Sequence, residues 1–324
     1  MNKQLWRKTG FFAIIFVLSV FLLAACGSAD QNNESADKDQ TQTTQSDAFP
    51  VTIVDDLGND VTIEEKPETV VSILPSVTET LFALGLDEEI IGVSDFDNYP
   101  EAALEKDKIG DMEMNAEKII SLNPDVAFLS KYNYENHADT IKQFEELGIE
   151  VVIIDTEESF EATYKSIELI GTITGQTEEA EEVVSSMKEQ LAEIEEKASQ
   201  ITEKKKVWVE VSAQPDIYTA GQNTFMNEML NLLGAENAAT GEGWYSVNEE
   251  EAVQLNPDVI IVTYGDYVEN AVEQVTSRAG WQEVTAVKNE AVYSVDSDMT
   301  TRTGPRLVDG VEELGKAIYP EIFK

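Results

Sequence analysis

The sequence predicts an α/β protein of two Rossmann-like lobes, each with a central parallel sheet, joined by a single long α-helix. Three observations carry this expectation. Short apolar runs alternate with helix-like segments through most of the chain, which argues for parallel strands covered by helices. The letters LNPDV occur at 122–126 and again at 255–259, each time with a glutamate at the same spacing upstream, Glu117 and Glu250. Between the two occurrences runs one uninterrupted amphipathic pattern. Ligands of open parallel sheets collect beyond the carboxyl ends of the strands, so the expected ligand cleft lies between the lobes.

The first 26 residues read as an export signal. Lys3, Arg7 and Lys8 precede an apolar run at 11–25, short of the roughly 20 residues a membrane span needs. The run closes on LAACG, which resembles the bacterial lipoprotein box and implies lipidation of Cys26. Cys26 is the only cysteine, so no internal disulfide can form. Residues 27–48 are polar and almost free of large apolar side chains, the composition of a disordered tether. Such a segment spans about 25 Å on average.

The N-terminal lobe is expected over 49–176. It opens with a hairpin at 51–63 turning at Gly58 and Asn59, followed by strands at 70–74, 90–93, 126–129 and 151–154. Helices are expected at 77–85 and 137–148. Residues 177–206 place Ala180, Val183, Met187, Leu191, Ile194, Ala198 and Ile201 three or four apart among Glu and Lys, the stripe of one interlobe helix. At full length it would run about 40 Å, enough to touch both lobes. The C-terminal lobe, 207–324, repeats the scheme: KVWVEVS, DVIIVTY and EAVYSVD read as strands, FMNEMLNLLG and VDGVEELGKAIYP as helices. Pro124 and Pro257 each stop a helix and release the chain into a strand.

Several strands run into loops rich in aromatic residues: Phe96 and Tyr99 in SDFDNYP, Tyr132 and Tyr134 in SKYNYEN, Trp244 and Tyr245 in GEGWYS, Tyr264 and Tyr267 in TYGDYVEN. Aromatic faces with a few polar neighbours suit a large, partly apolar ligand. Asp111 and Asp298 are candidate polar contacts at the edge. Arg302 is placed to meet a ligand carboxylate or phosphate, whereas Arg306 is expected to pair within its own lobe. Glu117 and Glu250 open their helices, where the macrodipole favours a carboxylate, and their matched positions suit docking to basic residues of a symmetric partner.

Composition excludes several classes. With 63 acidic and 22 basic residues the formal charge is −41, which repels nucleic-acid phosphates and anionic lipid headgroups. Membrane contact is therefore expected through the N-terminal lipid only. The segment GVEELGKA, 310–317, has the spacing of a phosphate loop but carries Ala317 where Ser or Thr should hold magnesium. Val311, Leu314 and Ile318 mark it instead as a helix face. His137 is the only histidine, too few for a zinc cluster of imidazoles, and no Gly-x-Ser-x-Gly elbow accompanies it. Neither catalysis nor a resident metal or cofactor is expected.

The segments SILPSVTETLFALG, GVSDFDNYP, NAEKIISLNPDVAF and TRTGPRLVDGVEEL together resemble the substrate-binding lipoproteins of ABC importers. Within that group the chain is similar to the periplasmic binding proteins of the class with two lobes and one rigid helix, especially the cobalamin-binding branch. The resemblance implies a monomer on the outer face of the cell membrane that captures a corrinoid and delivers it to a permease dimer driven by a cytoplasmic ATPase. Iron-siderophore and haem binders share the fold and stand as the alternative; a surface hydrolase or an adhesive lipoprotein is a more distant one. It further implies that Glu117 and Glu250 pair with permease arginines, that Phe96 is a pocket aromatic, and that Trp244 is the retained tryptophan upstream of the second glutamate. Asp111 departs from that pattern, standing where the best-known cobalamin binder has tryptophan.

Overall fold

A computed structural model describes residues 48–155 and 159–324. The expected signal segment, Cys26 and nearly all of the tether lie outside the described residues. The first described element is a hairpin of β1 (Val51–Val54) and β2 (Asp60–Ile63), paired antiparallel with Val51 opposite Ile63. Gly58 takes the positive φ (83°) that its turn requires. Asp55 holds the turn by accepting from the amides of Leu57 and Asn59, and it also accepts from Ile153 in the main sheet.

That sheet contains β3 (Val70–Ser72), β4 (Ile90–Val93), β5 (Asp107–Lys108), β6 (Val126–Ser130) and β7 (Glu150–Ile154), all parallel, in the order β5-β4-β3-β6-β7. The second sheet is built on β8 (Lys206–Glu210), with β12 (Val259–Val262) and then β13 (Val292–Ser294) parallel to it on one side. On the other side β9 (Tyr218–Ala220) and β11 (Trp244–Ser246) form an antiparallel extension, and the short β10 (Glu236–Asn237) runs parallel to β8. Strand order reverses between β3 and β6 in the first sheet and at β8 in the second, so both lobes open a crevice at their carboxyl edge.

The duplicated letters have one structural meaning in both lobes. Asn115 and Asn248 cap the helices Ala116–Leu122 and Glu249–Leu255 by accepting from the amides of Lys118 and Glu251. Asn123 and Asn256 end those helices in the left-handed region, at φ 49° and 45°, a conformation asparagine tolerates and proline then locks. The residue before proline therefore turns left-handed rather than extended. Asp125 next accepts from the amides of Glu68 and Thr69 and from the Thr69 hydroxyl, at 2.9 to 3.0 Å. Asp258 does the same for Lys206, at 2.9 Å. Each aspartate thus ties the entering end of one central strand to that of its neighbour.

The interlobe helix is shorter than its stripe implies. It covers Thr177–Ala198, about 33 Å, and not the whole of 177–206. Ser199 caps it, Ile201 leaves the helix yet still packs against the core, and Lys206 already belongs to β8. Ala180, Val184, Met187, Leu191, Ile194 and Ala198 are its buried face, with Val183 at the margin. It packs against the helix Phe160–Thr174 on one side and the helices Phe225–Leu232 and Leu307–Ile318 on the other. Gly171 allows the first approach, since a Cβ there would lie 2.5 Å from that of Ala180. Through this helix the largest apolar cluster runs unbroken from Val70 and Phe128 in one lobe to Val209 and Leu314 in the other.

Two segments expected as loops carry regular structure. Ser130 and Asn133 form a capping box that starts a short helix, Lys131–Asn136, and Trp244–Ser246 pair with β9 as an edge strand. At the carboxyl end of β8, Glu210 is fully buried and accepts from Arg278 at 2.6 and 2.8 Å and from the Tyr264 hydroxyl at 2.5 Å. Burial, with the Glu210 carboxylate beside it, pushes the Tyr264 hydroxyl far above its ordinary value, so it remains a donor.

Removing one partner of a buried ion pair strands the other. Glu210→Ala is expected to lower unfolding stability by about 3–5 kcal/mol, whereas Tyr264→Phe should cost only about 1 kcal/mol. Asp125→Ala, which loses three hydrogen bonds, should cost about 1–3 kcal/mol and more than Asp258→Ala. Urea midpoints with unchanged m-values test all four.

Candidate functional site

The carboxyl edges of the two sheets meet. After β4 the chain makes a tight loop in which the buried Asp97 accepts from the Ser94 amide at 2.7 Å, and Lys108 donates to the carbonyls of Ser94 and Asp97. Burial raises the Asp97 carboxyl above the usual carboxylate range, partly offset by hydrogen bonding from Ser94 and by the nearby Lys108 charge. The loop presents Phe96, 63% exposed, and Tyr99 outward. Against it lies the segment after β13, with the short helix Ser297–Thr301 and then Arg302 and Arg306. Asn98 donates to Asp298 at 2.7 Å across this junction.

A single carboxylate organises the contact. Glu79, on the helix Pro75–Ala83 that follows β3, is only 3% exposed. Its Oε1 accepts from Arg302 Nη1 at 2.9 Å and from Arg306 Nη2 at 2.7 Å, and its Oε2 accepts from Arg306 Nε at 2.8 Å. Arg302 also donates to Asn98 Oδ1 at 2.9 Å and the Phe96 carbonyl at 3.1 Å, and pairs with Asp298 at 2.9 Å. Arg306 lies 3.9 Å from the centre of the Tyr99 ring. Gly304 completes the approach: a Cβ there would sit 3.2 Å from the Ser76 carbonyl. The expectation that Arg306 pairs within its own lobe is therefore corrected. The start of the helix Leu307–Ile318 faces Glu79, and the acid that meets Arg306 belongs to the other lobe.

The first lobe adds a second wall. The Met112 carbonyl accepts from Asn133 Nδ2 and is 3.1 Å from His137 Nε2, which binds the loop holding Asp111 to the short helix holding Tyr132 and Tyr134. Met112, Tyr132 and Tyr134 are exposed, and Tyr132 meets His137 edge-on. Asp111 turns its carboxylate onto the Glu113 amide.

The second lobe is more reserved. Trp244 is half-buried against Phe225, ring centres 5.3 Å apart. Tyr245 is half-buried too and accepts from the Gly241 amide; a Cβ at Gly241 would clash with its ring. Tyr264 is corrected outright as a ligand contact: it is 0% exposed and its hydroxyl is spent on Glu210. Tyr267, three residues on, is the exposed aromatic of that loop.

Glu117 and Glu250 occupy the second position of their matched helices, both exposed. Two surface pockets, of about 630 and 440 Å³, lie at the opposite, amino-terminal ends of the strands, around Lys204, Asp258 and Tyr319 and around Lys66, Asp125 and Glu150. Neither contains a candidate ligand-binding or docking residue expected from the sequence. Among the described residues no cluster of acidic, His or Cys side chains has the makings of a metal site, and no helix is long and apolar enough to cross a membrane.

Sequence reasoning missed Glu79 and Asn98. The available signal was a glutamate set among Val77, Leu81, Phe82 and Leu84 in a helical pattern. A charge in such surroundings must find a cation.

Comparison with known proteins agrees with this architecture. The family described as periplasmic binding protein matches residues 70–299. The chain is 44% identical to the uncharacterized ABC transporter substrate-binding lipoprotein YvrC of Bacillus subtilis, over 98% of this chain and 99% of that one. It is 27% identical to the vitamin B12-binding protein of Vibrio parahaemolyticus, covering 77% and 89% of the two chains. Among solved structures, a possible iron-binding (periplasmic solute-binding) protein from Staphylococcus epidermidis superposes with a TM-score of 0.71 at 34% identity, covering 79% of this chain and all of that one. Two parallel-sheet lobes facing each other across one shared helix, and a match through most of both, place the chain in the periplasmic binding protein family.

Proposed function

We propose that the protein is the extracytoplasmic substrate-binding lipoprotein of an ABC importer and that its ligand is a corrinoid. The observation that carries this reading is the meeting of both sheets' carboxyl edges around exposed aromatic and amide side chains, with both arginines of the junction already held by protein carboxylates. A corrin is broad and partly apolar and carries neutral amide arms, which suits Phe96, Tyr99, Tyr132, Tyr134 and Tyr267 with Asn98 at the rim. Asp111, Asp298 and Arg302 belong to that rim, and Trp244 and Tyr245 form the half-buried wall of the second lobe.

The likeness to the lipoprotein YvrC, which extends over 98% of the chain, supports lipid attachment at Cys26 and a place on the outer face of the cell membrane. Residues 27–48 then tether the body. The B12-binding relative favours a corrinoid; the possible iron-binding structural neighbour supports a ferric siderophore or haem as the second reading. The protein acts in this scheme as a monomer that binds and delivers, with energy supplied by the transporter's ATPase.

Glu117 and Glu250 are the proposed docking points, one per lobe, for basic residues of a permease dimer. Their equal place in duplicated helices and their exposure support the pairing.

Mixed with cyanocobalamin at micromolar concentration, the purified protein is expected to carry the red chromophore through gel filtration; a colourless protein peak removes the corrinoid assignment. Glu117→Arg combined with Glu250→Arg should abolish uptake in cells while leaving ligand affinity within about twofold. Normal uptake by that double variant removes the docking assignment.

A further inference from the structure

Resting on the reading of the interlobe junction as the ligand cleft, we propose that Glu79 sets the charge specificity of that cleft, admitting ligands with neutral arms and rejecting those with carboxylates. Recognition of a carboxylate by arginine needs free, correctly aimed N–H donors. Arg302 has four of its donors directed at Glu79, Asn98, the Phe96 carbonyl and Asp298. Arg306 gives Nε and Nη2 to Glu79, and its guanidinium faces the Tyr99 ring. The two positive charges are matched by Glu79 and Asp298.

Among the described residues, the other cations at the carboxyl edges also have partners. Lys108 is engaged by the carbonyls of Ser94 and Asp97, Lys131 by Asp155, and Arg278 by Glu210. The chain as a whole carries −41, so the surrounding field also opposes an anion. A ligand carboxylate would have to compete for these guanidinium groups with Asp298 and with Glu79, which is fixed on its helix between them and is almost wholly enclosed. An amide arm faces no such competitor. It can accept from Asn98 or donate to Asp298 at the rim without disturbing the clamp. Glu79 is in these terms a positioning residue, acting on the ligand through Arg302 and Arg306.

The test compares cyanocobalamin with its monocarboxylates, in which one side-chain amide is hydrolysed to an acid and the shape is kept. Dissociation constants are read by fluorescence quenching at neutral pH. The wild type is expected to bind the amide form at least about tenfold more tightly than the acids. Glu79→Gln, which keeps the side-chain shape and frees the arginines, should reduce that preference to about threefold or less. Adding Arg302→Gln restores the balance of charge and should restore the preference, a rescue that general loosening of the junction would not give.

Equal binding of amide and acid by the wild type overturns the proposal, and this measurement stands even where Glu79→Gln fails to fold. An unchanged preference in a folded Glu79→Gln protein overturns it as well. If the wild type binds no corrinoid at all, the corrinoid assignment falls separately, and haem with its two propionates becomes the probe. Glu79→Gln must then bind haem at least about tenfold more tightly than the wild type, and equal affinities overturn the role given to Glu79.

Discussion

The junction between the lobes depends on one buried carboxylate. Glu79 has given up water and is compensated by two guanidinium groups that belong to the other lobe. Such an arrangement contributes little net stability compared with an apolar contact of the same size, because desolvation offsets most of the attraction. Its stronger effect is geometric. The donors of a guanidinium are planar and directional, so satisfying both oxygens fixes where Arg302 and Arg306 lie. Arg302 in turn fixes the Phe96 carbonyl and Asn98, and Arg306 fixes the Tyr99 ring. The aromatic loop after β4 is thus held by the opposite lobe.

Glu210 shows the same chemistry turned inward. It also lies at the carboxyl edge of a parallel sheet and also meets an arginine bidentately, but all its partners come from its own lobe. One acid shapes the junction and the other seals the crevice beneath it. This contrast explains why two tyrosines of one short loop have opposite fates, with Tyr264 drawn under the surface and Tyr267 left outside.

The parts of this design that were legible in the sequence are those governed by neighbours along the chain. Pro124 and Pro257 announce a helix stop at matched places in a repeated stretch, so the duplication and the strands that follow could be read from letters. The end of the interlobe helix could not, because Ile201 continues the apolar stripe and stays in the core after the helix has ended at Ala198. Glu79 stands out as a charge in an apolar helix, but its role could not be read for another reason: its partners are more than two hundred residues away, and only the folded chain brings them together. Tyr264 was misread because its burial depends on Glu210 in a different strand. Local grammar specified the lobes; the clamp between them is written in no single segment.

The helix Thr177–Ala198 has one more consequence. Its buried face belongs to a core shared by both lobes, and a continuous helix bends less readily than loop hinges. The stripe is answerable to two partners, and a change of volume along it disturbs the packing of both halves at once.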